Sequence, residues 1–298
     1  MKRNVIVIAV ILFILSGFSS AFAFNIYVMD SGNTANTNTI EDVLTNAGHT
    51  VTIGLPWHQQ DGAQGLSSYD AVVFLNNFNW NSGSMSAAGQ TEILDYVSGG
   101  GGIVTSEWFI WSLGAGSRFS MLNPLAPVEP ATAFNGATST TYTQMTPNPI
   151  VNKGLPGSFS FNLGSISGTE TVFTPRKGAL TFYSSSNGGG VPGSGGLVGW
   201  NFGSGRVISF STLVGNTELA DDNYSQLFVN SVEWAAVPFP GDFNEDCRVD
   251  GLYFIIFRNE WGRTDCLSAE CECDMNSDGK VDGLDFIIFR NNWGKTCP

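Results

Sequence analysis

The chain has 298 residues, with 13 lysines and arginines against 26 aspartates and glutamates, which gives a formal net charge of −13 at neutral pH. This balance argues against nucleic acid as a partner, because phosphate contacts need clustered basic side chains. Only 13% of the residues are charged, while 36 are glycine and 22 are phenylalanine. The composition is typical of an extracellular globular protein with many tight loops, and not of a disordered acidic tail.

Residues 1–23 have the pattern of a secretory signal peptide. Lys2 and Arg3 precede an uncharged apolar run at 5–15, and Ala21-Phe22-Ala23 offers the small-x-small pattern that signal peptidase recognises. A retained anchor helix is the alternative, but the run is short for a membrane span. We therefore expect a secreted, extracellular mature protein with no membrane span after cleavage.

Between residues 24 and 237, apolar runs alternate with segments of helical periodicity. The predicted strands lie at 25–29, 49–53, 71–75, 103–106 and 206–210, and the predicted helices at 37–47, 86–97 and 221–235. Such alternation predicts a parallel sheet covered by helices on both faces. Residues 130–200 are rich in Thr, Ser, Gly and Phe, and predict a β-rich insertion with long loops.

Four segments of this region carry a family resemblance. They read AGHTVT, YDAVVFLNN, ILDYVSGGGGIVTSEW and GWNFGSGRVISFSTLVGN. Together they resemble the class I glutamine amidotransferase-like fold, with the trehalose-utilisation-type proteins as the nearest relatives. The resemblance implies a flavodoxin-like sheet whose site lies at the carboxyl ends of its strands.

The expected site lacks the amidotransferase chemistry. The family needs a cysteine nucleophile after the central strand, where this chain has Glu107, and residues 24–246 contain no cysteine. A carboxylate cannot form the thioester, so glutamine hydrolysis is excluded. The histidine that trehalose-utilisation-type relatives often carry after the late strand is replaced by Asn216. We therefore interpret the domain as non-catalytic.

A polar cleft that binds carbohydrate is one hypothesis for this domain. Its candidate residues are Asp30, Asn76, Asn77, Glu107 and Asn216, with Trp57, Trp80 and Trp108 on neighbouring loops. Amides and carboxylates beside tryptophan faces suit hydroxyl hydrogen bonding and ring stacking. Two alternatives stay open. In the first, these polar residues only cap strands and pack loops. In the second, two of the carboxylates form a catalytic pair, and the protein is a secreted polysaccharide-degrading hydrolase.

Every cysteine lies near the C-terminus. The five are Cys247, Cys266, Cys271, Cys273 and Cys297. In an exported chain, such a cluster predicts disulfides that staple a small domain with a thin core. Because the number is odd, at least one thiol is unpaired or joined to another chain. A zinc site is the alternative.

A long repeat occupies the same segment. GLYFIIFRNEWGRT at 251–264 recurs as GLDFIIFRNNWGKT at 283–296, with 11 of 14 positions identical. Each copy follows an acidic loop, which begins at Asp242 or Asp274. Oxygen-bearing residues at the first, third, fifth and ninth loop positions surround a tight turn, as calcium requires. Val249 and Val281, at the eighth positions, suit a β-bridge between the loops.

A loop followed by one helix, present twice, resembles the type I dockerin family over residues 241–298. The resemblance implies a small all-α, calcium-binding domain at 238–298, which attaches the protein to a cohesin-like or cell-surface partner. Its ligands in the second loop are Asp274, Asn276, Asp278, the Lys280 carbonyl, Asp282 and Asp285. Those in the first loop are Asp242, Asn244, Asp246, the Arg248 carbonyl and Asp250.

Several positions depart from the dockerin pattern. In the first loop, Cys247 replaces the sixth-position glycine and Tyr253 replaces the twelfth-position acid. These changes predict that the second loop binds calcium more strongly. The pairs Gly251-Leu252 and Gly283-Leu284 replace the small hydroxyl residues that usually contact cohesin, so calcium binding transfers from the family better than cohesin binding does.

Overall fold

The computed structural model describes residues 23–116, 118–164, 169–187, 194–236, 249–266, 271, 273–275 and 279–294. The predicted signal peptide up to residue 22 and the predicted domain boundary at 237/238 lie outside the described residues. So do the calcium-ligand positions Asp242, Asn244, Asp246, Arg248, Asn276 and Asp278. Within the described part, no helix is both long enough and apolar enough to cross a bilayer.

The N-terminal region is built around one mixed sheet of nine strands. Its members are β1 (Asn25–Met29), β2 (Thr50–Gly54), β3 (Ala71–Phe74), β4 (Gly102–Thr105), β6 (Ser139–Gln144), β7 (Ser158–Asn162), β9 (Leu180–Ser185), β10 (Gly195–Phe202) and β11 (Gly205–Phe210), while β5 (Phe134–Asn135) and β8 (Glu170–Thr171) form a separate pair. The order is β2-β1-β3-β4-β11-β10-β9-β6-β7. The first five strands pair in parallel, and the remaining pairs are antiparallel.

Within the described residues, four helices belong to this region and two to the C-terminal repeat. They are α1 (Thr34–Asn46), α2 (Ala87–Ser98), α3 (Glu107–Ala115), α4 (Asp222–Ala236), α5 (Gly251–Glu260) and α6 (Gly283–Asn292). Apolar residues of α1 and α4 join the core on one sheet face, and those of α2 and α3 join the core on the other. Because both faces are covered, every residue of β3 and β4 is buried. The predicted α/β sheet with helices on both faces is confirmed.

The β-rich insertion continues the sheet and ends in the β6–β7 hairpin. Along β7 the side chains alternate, with Phe159 and Phe161 buried and Ser158 and Ser160 exposed. The exposed hydroxyls pair across the hairpin, Thr141 Oγ1 with Ser160 Oγ at 2.7 Å and Thr143 Oγ1 with Ser158 Oγ at 3.1 Å. The predicted insertion therefore has an aromatic inner face and a hydroxyl-bearing outer face.

The C-terminal repeat pairs two short helices through aromatic side chains. Phe257 of α5 and Phe289 of α6 stack with ring centroids 5.4 Å apart. The predicted bridge between Val249 and Val281 is not formed. Val281 instead donates to Arg263 and accepts from Gly262, both at 2.9 Å, and Val249 accepts from Gly294 at 2.8 Å. Each valine thus forms its backbone hydrogen bonds with the segment that follows the other repeat's helix. The two valines therefore do not bond to each other.

A disulfide joins Cys266 to Cys271, and Cys273 is buried nearby. The other two cysteines, Cys247 and Cys297, lie outside the described residues. The bridge lies beside the second loop, because the Cys266 amide donates to the carbonyl of Gly279.

Reduction of the full chain should destabilise the C-terminal repeat and leave the N-terminal domain nearly unchanged. The Cys266–Cys271 bridge closes a loop with a sequence separation of only 5. Because the loop is so short, the bridge contributes about 2 kcal/mol to the stability of the repeat. Limited proteolysis with and without a phosphine reductant, read by mass spectrometry, follows each region separately. Equal loss of protection in both regions would contradict the expectation.

Candidate functional sites

The second calcium loop has the turn that its spacing predicts. Asp274, at the first position, accepts through Oδ2 from the amide of Gly279, at the sixth, at 2.9 Å. Gly279 has φ of 90°, a conformation that glycine adopts without strain. Asp274 therefore faces the inside of a tight turn, as a calcium ligand must.

The same loop ends in a reciprocal helix cap. Asp282 Oδ1 accepts from the Leu284 amide, and Asp285 Oδ2 accepts from the Asp282 amide, both at 2.8 Å. The Asp285 side chain is fully buried. Carboxylates at the ninth and twelfth positions are thus held at the start of α6, and their oxygen donors fit a hard cation such as calcium.

The first loop differs where the sequence departs from the family. Asp250 caps α5 as Asp282 caps α6, accepting from the Leu252 amide at 2.9 Å. Tyr253 stands where Asp285 stands in the second loop, and it is fully buried among the aromatic side chains of the repeat. An aromatic core residue therefore occupies the position that would close the first coordination sphere.

Among the described residues, Asp265, Cys266 and Cys271 also approach one another closely enough to surround an ion. The two sulfurs are bonded to each other and cannot act as thiolates. The Arg263 guanidinium beside Asp265 lowers the pKa of that carboxyl and occupies its oxygens. This group therefore lacks the donors for zinc, and its sulfurs do not suit calcium.

The two repeat helices expose the same apolar positions. Each of these side chains is between 36% and 56% exposed, and the equivalent pairs are Leu252 and Leu284, Phe254 and Phe286, Ile255 and Ile287, and Trp261 and Trp293. Leu252 and Ile255 are three residues apart and share one side of α5, as Leu284 and Ile287 share one side of α6. Exposed apolar side chains grouped in this way mark an interaction site. The departures from the dockerin pattern drew attention to the two leucines but not to the isoleucines beside them.

The predicted polar residues of the N-terminal domain lie where the parallel strands end. Asn76 donates to the Trp108 carbonyl and to Ser112 Oγ. Asn77 donates to the Val214 carbonyl and accepts from Ser106 Oγ. Both asparagines are fully buried. They connect neighbouring loops, as the strand-capping alternative describes.

The remaining three predicted residues do not form one open cleft with them. Glu107 is 2% exposed, Asp30 is half-buried and Asn216 is exposed. Asp30 Oδ1 accepts from the Gly32 amide and Thr37 Oγ1, both at 3.0 Å. The structure thus places all five residues at one edge of the sheet, with only Asp30 and Asn216 reaching solvent appreciably.

Two further carboxyl groups lie beside Glu107. The backbone of Glu170, in β8, forms an isolated antiparallel β-bridge with Thr212. The carbonyl of Thr212 also accepts from the Glu107 amide at 3.3 Å. Glu218 comes from the turn after β11. Glu170 is fully buried and Glu218 is 1% exposed. Neither glutamate could be identified from the sequence, because neither belongs to a motif and Glu170 comes from the insertion.

Each of the three carboxyl groups is incompletely satisfied. Glu170 Oε1 accepts from Ser211 Oγ at 2.6 Å, and Glu218 Oε1 accepts from the Gly164 amide at 2.5 Å. One oxygen of each glutamate has no hydrogen-bond partner within the described residues. Buried carboxyls without basic partners are disfavoured as anions. Glu107 and Glu218 therefore favour the protonated form.

The pKa values follow from this burial. Burial raises the pKa of Glu107 well above its usual range, and the nearby charges of Glu218 and Glu170 raise it further. Burial raises the pKa of Glu218 to about 7, opposed by its backbone hydrogen bonds. At neutral pH the domain thus keeps at least part of this cluster neutral.

The predicted tryptophans separate into two groups. Trp57 is fully buried and donates through Nε1 to the Asn79 carbonyl. Trp80 stacks on Trp108 with centroids 5.0 Å apart, and Trp111 meets Trp108 edge-on at the same distance. Trp80 and Trp111 are half-buried. A partly exposed tryptophan cluster therefore lies beside Asn76, whereas Trp57 belongs to the core.

Comparison with known protein families identifies the C-terminal repeat. Residues 240–292 match the family model of the dockerin type I domain. This segment is therefore a type I dockerin, a class of module that binds calcium and attaches proteins through cohesins. A comparison with curated proteins found no match.

Solved structures with the N-terminal fold include three from bacteria. A cytoplasmic protein from Salmonella typhimurium is 14% identical, with a TM-score of 0.51 over 71% of this chain and 98% of that one. A ThuA-like protein from Parabacteroides merdae is 14% identical, with a TM-score of 0.52 over 72% and 91%. One from Bacteroides uniformis is 18% identical, with a TM-score of 0.52 over 74% and 95%. The N-terminal region has the ThuA-like fold, as its resemblance implied.

Proposed function

We propose that the protein is exported, with residues 1–23 as its signal peptide, and that residues 238–298 attach it to a partner protein when calcium is bound. Residues 24–237 then form a displayed, non-catalytic domain that binds carbohydrate. The observation that supports the attachment role is an apolar face on each repeat helix, formed by exposed Leu252 and Ile255 on α5 and by exposed Leu284 and Ile287 on α6. Its partner is a cohesin-like or cell-surface protein.

The apolar face supports attachment through either helix. Leu252 and Ile255 of α5 have the same exposure as Leu284 and Ile287 of α6, within a few per cent. A partner that binds one helix therefore finds the same side chains on the other. Calcium contributes by holding each loop and the first turn of its helix in one conformation.

Replacing both faces should abolish attachment, whereas replacing one should weaken it only slightly. We expect Leu252→Ala with Ile255→Ala, or Leu284→Ala with Ile287→Ala, to reduce affinity about twofold, because one equivalent face remains. All four changes together should reduce it at least about a hundredfold, since central apolar anchors dominate such interfaces. Biolayer interferometry of the full chain on immobilised type I cohesins, in calcium, measures this.

The matched control is Ile53→Ala with Leu55→Ala, which removes two similarly exposed apolar side chains from the N-terminal domain. It should leave the affinity unchanged. A four-site variant that binds as tightly as the wild type would contradict attachment through this face.

Carbohydrate binding is supported by the Trp80–Trp108–Trp111 cluster, which offers partly exposed aromatic surface beside polar loops. The hydrolase alternative has less support, because Glu107, Glu170 and Glu218 are at most 2% exposed. A polymer could not reach carboxyls so deeply buried. Glycan-array binding by the full chain without release of reducing ends is the expected result. Release of reducing ends would favour the hydrolase.

A further inference from the structure

A polar cavity of about 230 Å³ lies between the β6–β7 hairpin and the turn that leads into α4. Its lining includes Ser139, Ser160, Phe161, Asn162, Thr217 and Asp221. None of them belongs to the candidate set from the sequence, although Thr217 directly follows Asn216.

One wall is the outer end of the hairpin. Ser139 of β6 is the register partner of Asn162 of β7, so the two side chains lie at the same end. Ser160 is oriented outward by the strand alternation, and its hydroxyl is held by Thr141. Within the described residues, the side chains of Ser139 and Asn162 make no hydrogen bond. Both can therefore bond a ligand.

The other wall is the turn at 217–221. Asp221 Oδ1 accepts from the amides of Asn223 and Tyr224, both at 3.0 Å, and this cap fixes the carboxylate at the start of α4. Neither Asp221 Oδ2 nor the Thr217 hydroxyl bonds to any described residue. Both residues therefore line the cavity with hydrogen-bonding capacity to spare.

The two walls are held together at their base. Glu218, on the inner side of the turn, accepts from the Gly164 amide, two residues beyond Asn162. The approach is tight, since a Cβ at Gly164 would lie 3.2 Å from Thr217 Oγ1 and 3.3 Å from Glu218 Oε1. The width of the cavity is thus set by the fold before any ligand arrives, which reduces the cost of binding.

The lining chemistry selects a class of ligand. Among the described residues, no basic side chain lines the cavity, so it does not suit phosphates or other anions. One carboxylate is too few for a calcium site, which needs six to eight oxygens. Hydroxyls and an amide both donate and accept, which matches the hydroxyl groups of a sugar. The volume lies below the roughly 300–1,000 Å³ of sites for drug-sized ligands, so a single ring fits.

We propose that this cavity binds one neutral monosaccharide unit. Ser139, Ser160, Asn162 and Thr217 exchange hydrogen bonds with its hydroxyls, and Asp221 accepts from one of them. The inference rests on the proposed carbohydrate-binding role and gives that role a location.

Calorimetry on the full chain with methyl β-glucoside, methyl β-galactoside and methyl β-xyloside tests this. At least one should bind in the millimolar range, and Ser160→Ala with Asn162→Ala should weaken it at least about tenfold. The matched control is Ser158→Ala, which removes a similarly paired hydroxyl from the same face of β7 outside the cavity. It should bind normally. Methyl glucuronide should bind more weakly than the glucoside, because Asp221 repels its carboxylate.

The outcomes separate this inference from the broader role. Glycosides that bind the Ser160→Ala, Asn162→Ala variant as tightly as the wild type overturn the cavity and leave carbohydrate binding standing elsewhere. An equal loss in Ser158→Ala also overturns it. If no glycoside binds and the glycan array is blank, both the cavity and the carbohydrate role fail. Unchanged thermal unfolding of the variants confirms that they are folded.

Discussion

Raising the pH from about 4 to 8 should destabilise the N-terminal domain, and Glu218→Gln should remove much of that loss. The pKa of Glu218 rises from 4.5 to about 7 on folding, so the folded state holds this proton more tightly than the unfolded state. The stabilisation is complete below pH 4.5 and is lost as the pH rises through about 7. At 1.36 kcal/mol per pKa unit, the difference between the unfolded and folded pKa values of Glu218 corresponds to about 3 kcal/mol of folding stability.

Glutamine is a suitable replacement because it cannot ionise and keeps the carbonyl oxygen that accepts from Gly164. The variant should be up to about 3 kcal/mol more stable than the wild type at pH 8 and equal to it at pH 4. Glu107 should ionise more readily in the variant, because a charge that raises its pKa is gone.

Urea unfolding of the full chain at several pH values, followed by tryptophan fluorescence, gives these differences. Asp42→Asn, on the exposed side of α1, is the control and should not change the slope with pH. A Glu218→Gln curve that runs parallel to the wild-type curve would show that the carboxyl cluster does not carry this pH dependence.

Asp285→Ala should remove the stronger of two unequal calcium sites. Calcium affinity in these loops follows ligand charge and rigidity, and Asp285 is the twelfth-position acid that only the second loop has. Its loss should weaken that site by an order of magnitude or more, at about 1.4 kcal/mol per tenfold. Asn291→Ala, an exposed change on the same helix, should leave both sites unchanged.

Tyr253→Asp should strengthen the weaker site. The backbone around Tyr253 matches that around Asp285, since Asp250 and Asp282 cap their helices alike. A carboxylate there can close the first coordination sphere, whereas a phenol is a weak neutral ligand. Without calcium the variant should be less stable, because Tyr253 is a fully buried core residue. Calorimetry that finds two equal wild-type sites, or a dominant first loop, would contradict this ligand assignment.

The sequence predicted what depends on neighbouring residues. The apolar runs predicted the five parallel strands to within one or two residues, and the spacing of Asp274, Gly279, Asp282 and Asp285 predicted a turn that the structure contains. α3 was missed because EWFIWSLGA is apolar nearly all round and shows no helical period.

The sequence could not predict what depends on distant contacts. Glu107 and Glu170 are separated by 63 positions in the chain, and only the insertion's path brings both to Thr212. Asn76 and Asn77 looked like ligand-binding residues, but tertiary structure turns both inward, where they bond to neighbouring loops. Burial converts such polar residues from binding groups into structural ones.

Equilibrium dialysis of the full chain against calcium tests most directly whether the C-terminal repeat is a calcium-dependent attachment module. We predict that the wild-type chain takes up calcium at one strong site and that Asp274→Ala with Asp285→Ala does not. Chelation should also release the wild-type chain from its partner. A wild-type chain that takes up no calcium, or a double variant that takes it up equally well, would contradict the assignment.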